Sequence, residues 1–219
     1  MSADPIVNST YARTPMGGKQ GSLAAANATE MGATAVRAAI DKAGVDGSDV
    51  EPIFMGGVLP AGLGQAPARQ AGMGGGLPIS TEATNVNKMC GSGMQAAIMA
   101  HDALKAGTAD IIVAGGMESM TNAPYLLTKH RSGARIGHDV TKDSMFLDGL
   151  EDAYEEGRLM GSFAEEAAQE YQLTREAQDA YAIESLTRAN AAIASGAFDE
   201  EIAPVSVSTR GGTENISVD

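Results

Sequence analysis

Ala83-Thr84-Asn85-Val86-Asn87-Lys88-Met89-Cys90-Gly91-Ser92-Gly93-Met94 is the stretch from which the fold is read. Residues 83–89 have the character of a strand, and Cys90 follows at once. Met94, Ala97, Ile98 and Leu104 recur at helical spacing, which predicts a helix from about Met94 to Ala106 stopped by Gly107. Ile111 to Ala114 is a compact β-branched strand. Strand, turn, helix and strand in this order form a βαβ unit, which implies a parallel sheet covered by helices.

Towards the amino terminus, Ile53 to Leu59 reads as another strand, and Ala66 to Gly72 as a short helix within a Gly/Ala/Pro-rich stretch. Asn27 to Ala43 is predicted to be a helix whose apolar face is Met31, Ala35, Ala38 and Ala39, ended by Gly44. Residues 5–18 read as a strand entering a loop, although Asn8, Ser9 and Thr10 interrupt its apolar run. Towards the carboxyl terminus the texture changes after Gly116. From Asp139 to Glu170 there are ten acids against two Lys/Arg. Ser162-Phe163-Ala164-Glu165 has the capping-box spacing. Thr174 caps a long helix to about Ser195, with Ala180, Ile183, Leu186 and Ile193 as its stripe and Gly196 after it. Glu201 to Val207 reads as a strand and Gly211-Gly212 as a turn. The end at Val218-Asp219, with no closing helix, reads as an incomplete chain.

Composition narrows the function. The 219 residues are 43% hydrophobic, enough for a sizeable core, and carry a net charge of −13, which argues against a nucleic-acid surface. No apolar run approaches the roughly 18 residues of a membrane span. Met1 to Ile6 lacks the basic and apolar regions of a secretion signal. With one cysteine there is no intrachain disulfide, and a reducing, cytoplasmic compartment is the natural reading.

That cysteine has two readings. A lone Cys is ordinarily a small buried hydrophobe. Between a strand and a Gly-x-Gly helix start, however, it has the setting of a nucleophile. A helix amino terminus favours negative charge, and the flanking glycines let a substrate approach the backbone. Its own N–H is placed to steady a developing oxyanion.

Asn87 to Met94 resembles the nucleophile segment of the thiolases, and further segments match in order. These are Ala12-Arg13-Thr14-Pro15-Met16-Gly17, Gly62 to Gln70, Gly115 to Met120, Asp148 to Ala153, and Met160-Gly161. The biosynthetic acetyl-CoA acetyltransferases are the most similar type. The resemblance implies an α/β, thiolase-like fold: a mixed, mostly parallel sheet with helices on both faces, plus a helical loop domain. The domains would be 1–120 (α/β, incomplete) and 121–219 (loop domain, incomplete), with the carboxy-terminal domain absent. It implies condensation of two acetyl-CoA to acetoacetyl-CoA, or the reverse thiolysis, through an acyl thioester on Cys90, whose N–H belongs to an oxyanion hole. Leu150 and Met160 match positions near the CoA chain and acyl pocket. Leu159 stands where many relatives have histidine, after a stretch, Glu155 to Arg158, one residue longer. CoA thioesters are the substrates, with no other cofactor and no metal. Residues 124–138 correspond to a tetramer-forming loop, so the expected partners are CoA and copies of the same chain, not nucleic acid or membrane.

The family's base histidine, water-holding asparagine and second cysteine belong to its carboxy-terminal half; His101, His130 and His138 match none of these positions. A ketoacyl synthase-type condensing enzyme, or a non-catalytic fragment or subunit, are therefore the alternatives. Lys129, His130, Arg131, Arg135 and His138 form a basic cluster, either a phosphate contact or a solvated, subunit-contacting hairpin around Ser132-Gly133. Glu118 is either a buried general base or a structural hydrogen-bond acceptor.

Overall fold

A computed structural model describes residues 5–219; residues 1–4 of the segment read for a secretion signal lie outside them. Two compact units are present: the chain up to Ala123 together with Glu201–Asp219, and Pro124–Glu200. The last nineteen residues thus belong with the first unit, where the sequence had grouped them with the loop domain.

The first unit is built on β1 (Pro52–Gly56), β2 (Glu82–Val86) and β3 (Val113–Gly116), all parallel, in the order β2-β1-β3. The expected βαβ unit is therefore present, in a sheet whose three strands are parallel. Strand alternation sends Ile53 and Met55 to one face. There they are buried with Val36 and Ile40 of α1 (Ala28–Ala43) and with Ala68 and Ala71 of α2 (Pro67–Gly74). The opposite face receives α3 (Ser92–Ala106), which packs on β1 and β3. The expectation of helices on both faces holds.

Asn27 caps α1 with a full capping box. Its side chain accepts the Glu30 N–H and Glu30 returns to the Asn27 N–H, while Gly44 closes the helix in the left-handed conformation. The buried face is Gly32, Val36 and Ile40, one position round from the face expected. In α3 the difference is larger. Ala96 and Ala100 are buried, whereas Met94 and Ile98 are exposed. Apolar spacing pointed to the bulky side; the sheet takes the small-residue side because glycines there let helix and strand backbones come close.

Residues 5–12 form no strand. Val7 and Tyr11 are exposed, and only Arg13 bridges Ile202 in parallel, through Arg13 N–H to Glu201 C=O (2.9 Å) and Ala203 N–H to Arg13 C=O (2.7 Å). The polar run Asn8-Ser9-Thr10 forfeits the apolar burial that a strand inside a parallel sheet requires. β6 (Val205–Thr209) and β7 (Gly212–Ile216) form an antiparallel hairpin, and Val205 and Val207 pack on Leu23 and Ala26.

Arg13 binds this region twice more. Its guanidinium donates to both oxygens of Asp219 (2.6 and 2.7 Å) and to Glu201 (2.5 Å). The Arg13 hydrogen bonds, then the Met16 N–H, hold the Asp219 carboxyl below its ordinary range. A depressed carboxylate pKa stabilises above the unfolded value, and that contribution is lost as pH falls through the folded value. Asp219→Asn is therefore expected to melt lower than the parent at pH 7, and the gap closes as pH drops below about 4. Thermal melts across this range test it; a gap independent of pH would contradict the pairing.

In the second unit, β4 (Tyr125–Leu126) and β5 (Lys142–Asp143) pair antiparallel, with residues 127–141 as a long exposed excursion between them. α4 (Met160–Glu170) begins two residues before the expected cap. Ser162 lies in its first turn and gives its hydroxyl to the Leu159 carbonyl (2.7 Å) instead of capping the helix. α5 (Arg175–Ser195) is capped by Thr174 through the Ala177 N–H and stopped by Gly196, as expected. None of its residues is buried, Ile183 and Leu186 of the stripe included.

Candidate active site

Residues 87–91 join β2 to α3, and hydrogen bonds specify their path closely. Asn87 Oδ1 accepts the Met89 N–H (3.0 Å). The Lys88 carbonyl accepts the Gly91 N–H (3.1 Å) and the Met89 carbonyl the Ser92 N–H (3.0 Å). Ser92 Oγ accepts the Lys88 N–H (2.9 Å) and donates to the Met89 carbonyl (2.5 Å). Met89 sits at φ 51°, a left-handed conformation uncommon for a non-glycine residue. Of the five N–H groups from Lys88 to Ser92, that of Cys90 alone has no hydrogen-bond partner among the described residues. Cys90 is a free, exposed thiol, so it is not the small buried hydrophobe of the alternative reading. Gly91 occupies the N-cap of α3 and supplies no side-chain cap, so the positive end of the helix dipole is uncovered beside the thiol.

Close packing puts this turn at the carboxyl end of the sheet. A Cβ on Gly56, the last residue of β1, would stand 2.4 Å from the Ser92 carbonyl carbon and 2.6 Å from the Gly93 nitrogen. No side chain fits there, which explains why the first turn of α3 lies directly against the strand end. Glu118, just past β3, accepts the N–H groups of Val58 (2.7 Å) and Leu59 (3.2 Å). That is the structural role, fixing the loop after β1. Beside it a cavity of about 90 Å³ is lined by Leu59, Leu63, Asn85, Asn87, Met117 and Glu118.

In the second unit, an antiparallel bridge joins Glu151 to Leu159, so Leu150 and Met160 flank the same closed turn. Leu150 is half-buried and Met160 is 52% exposed. The longer stretch before Leu159 is accommodated by its own contacts. Asp152 Oδ2 accepts the N–H groups of Tyr154 and Glu155, and Arg158 pairs with Glu155 and Glu166. The Arg158 guanidinium also lies 3.7 Å from the Phe163 ring centroid. In the basic cluster, Lys129, Arg135 and His138 line a cavity of about 340 Å³, and His130 Nδ1 is 3.0 Å from Asp139 Oδ2.

Cys90 belongs to the first unit and Leu150, Met160, His130 and His138 to the second. His101 is exposed on α3 next to Asp102, roughly 14 Å along the helix axis from Ser92. Asn87 and Ser92, whose side chains bind the turn, were visible in the sequence only as members of the motif around Cys90. An Asn two residues before an N–H that needs a partner is a recognisable Asx-turn pattern; nothing local marks the role of Ser92.

Among the described residues, no helix is long and apolar enough to cross a membrane, and no group of three or more His, Cys, Asp or Glu is gathered as a metal would require.

The family description "Thiolase, N-terminal domain" matches residues 6–219. Acetyl-CoA acetyltransferase 2 of Arabidopsis thaliana is 50% identical over 208 residues, 95% of this chain and 51% of that protein. Acetyl-CoA acetyltransferase A, mitochondrial, of Xenopus laevis is 44% identical over 206 residues, 94% of this chain and 48% of that protein. The solved structure of an acetyl-CoA acetyltransferase from Syntrophomonas wolfei superimposes with a TM-score of 0.91 at 40% identity, covering 97% of this chain and 53% of that one. The chain thus spans about half the length of the curated relatives it matches.

Proposed function

The chain belongs to the thiolase family, and from that premise we propose that Cys90 accepts an acyl group from acyl-CoA in an acetyl-CoA acetyltransferase. The Cys90 thiolate attacks the thioester carbonyl carbon, the bond from that carbon to the CoA sulfur breaks, and the departing CoA thiolate takes up a proton. The acyl group is left on Sγ. A second acetyl-CoA, deprotonated at its methyl carbon, attacks this acyl-cysteine; acetoacetyl-CoA leaves and the cysteine thiolate returns. Dividing one carbon–carbon step into two acyl transfers lowers the barrier of each. The reverse sequence is thiolysis.

The observation that carries this reading is the unpaired Cys90 N–H beside an exposed thiol at an uncapped helix start. An N–H already committed to the protein has nothing to offer an oxyanion; a free one, fixed by its bonded neighbours, has. Leu150 and Met160 are proposed to contact the CoA chain and acyl group, the substrates being CoA thioesters with no further cofactor or metal. Residues 124–138 are proposed to join subunits in a homotetramer, and the compartment to be the cytoplasm. Proton transfer falls to family residues that have no counterpart among these 219.

Label exchange tests the proposal. Isotopically labelled CoA should appear in acetyl-CoA when these two are the only substrates, because the first half-reaction is complete in itself. A condensing enzyme restricted to carrier-protein thioesters, or a non-catalytic subunit, would exchange none.

A further inference from the structure

We propose that Ser92 is a positioning residue that locks the 88–92 turn and thereby aims Cys90, an inference that rests on Cys90 being the acyl acceptor. Ser92 is 4% exposed, and its hydroxyl closes a double clasp across the turn, accepting the Lys88 N–H at 2.9 Å and donating to the Met89 carbonyl at 2.5 Å. Between those two groups lies the backbone of Met89, at φ 51°. Left-handed backbone is unfavourable for a residue with a Cβ, by on the order of tenfold in population, so something must hold it. Asn87 Oδ1 secures the Met89 N–H and Ser92 Oγ its carbonyl; each side of the unfavourable residue is tied by one side chain.

The consequence falls on the next residue. With Met89 left-handed, the N–H groups of Lys88, Met89, Gly91 and Ser92 are used inside the turn, while that of Cys90 stays free. Relaxing Met89 to an ordinary conformation redirects the Cys90 N–H and Sγ together. Ser92 itself is buried with its hydroxyl committed to backbone, so it acts through the turn.

The test uses the protein expressed from its complete reading frame, with acetylation of Cys90 by acetyl-CoA followed by mass spectrometry. Ser92→Ala, which removes only the hydroxyl, is expected to slow single-turnover acetylation at least tenfold with KM for acetyl-CoA within twofold of the parent. Restoring the turn by another route gives the second arm. In Ser92→Ala/Met89→Gly the left-handed conformation carries no steric penalty, and at least threefold of the lost rate is expected to return. An unchanged rate per folded molecule in Ser92→Ala, with only a lower melting temperature, would overturn the proposal, as would a double variant no faster than Ser92→Ala. No acetylation of the parent at Cys90 would remove the nucleophile assignment, and the proposal with it; a normally acetylated parent beside an unaffected Ser92→Ala would remove the proposal alone.

Discussion

Replacing Cys90 by serine is expected to abolish exchange between CoA and acetyl-CoA, by at least about three orders of magnitude, and to leave the fold unchanged. The two halves of this expectation have separate grounds. A serine hydroxyl is far less readily ionised than a thiol; the histidine of the first unit, His101, lies well along α3, and the Glu118 carboxylate is engaged by the N–H groups of Val58 and Leu59. Stability is spared because the Cys90 side chain is exposed, with no hydrogen bond and no disulfide. Substitutions of that kind shift stability by about half a kcal/mol or less. Exchange assays read the first half and thermal unfolding the second. A variant that loses activity only by unfolding would assign Cys90 to structure.

Gly56→Ala is expected to be the most damaging single-methyl change in the first unit. The added carbon meets the backbone of Ser92 and Gly93 at 2.4 to 2.7 Å. Neither side can yield by rotating a side chain; β1 and α3 must separate. Overpacking of this type costs about 3 kcal/mol or more when rigid backbone is what obstructs it. The cost extends to chemistry, since the displaced residues carry the turn that holds Cys90. Gly18→Ala is the matched control: a Cβ there meets nothing within 4 Å, and its melting temperature should stay near the parent's. Equal behaviour of the two variants in denaturant unfolding would show that the close approach of helix and strand does not matter.

The contrast between these glycines indicates what the sequence made legible. Punctuation was: Gly44, Gly107 and Gly196 stop helices where expected, each in the left-handed conformation. The strand–Cys90–helix order was also readable, because apolar runs and their spacing are local properties. Which face of a helix is buried was not. Met94 and Ile98 dominate the hydrophobic spacing of α3, yet its contact face is set by Gly56 and Gly116, residues remote in sequence that admit only small neighbours. The pairing of residues 201–219 with Arg13 was hidden for the same reason: two carboxylates and a guanidinium carry no sign of whom they will meet. Residues 5–12 failed as a strand through their own polar run, which was visible in the sequence. The catalytic reading likewise divided in two. Cys90 was found by its setting, whereas the supporting Asn87 and Ser92 emerged only once the path of the turn showed which backbone groups they bind.

The unpaired N–H of Cys90 and the exposed thiol beside it together make one claim: this sulfur receives the acyl group. Incubation with acetyl-CoA, rapid acid quench and peptide mapping measures it directly. The account predicts one added acetyl group on the peptide carrying Cys90, discharged when CoA is added back. An acetyl group on any other residue, or none on Cys90 in a folded protein that still exchanges CoA, would contradict it.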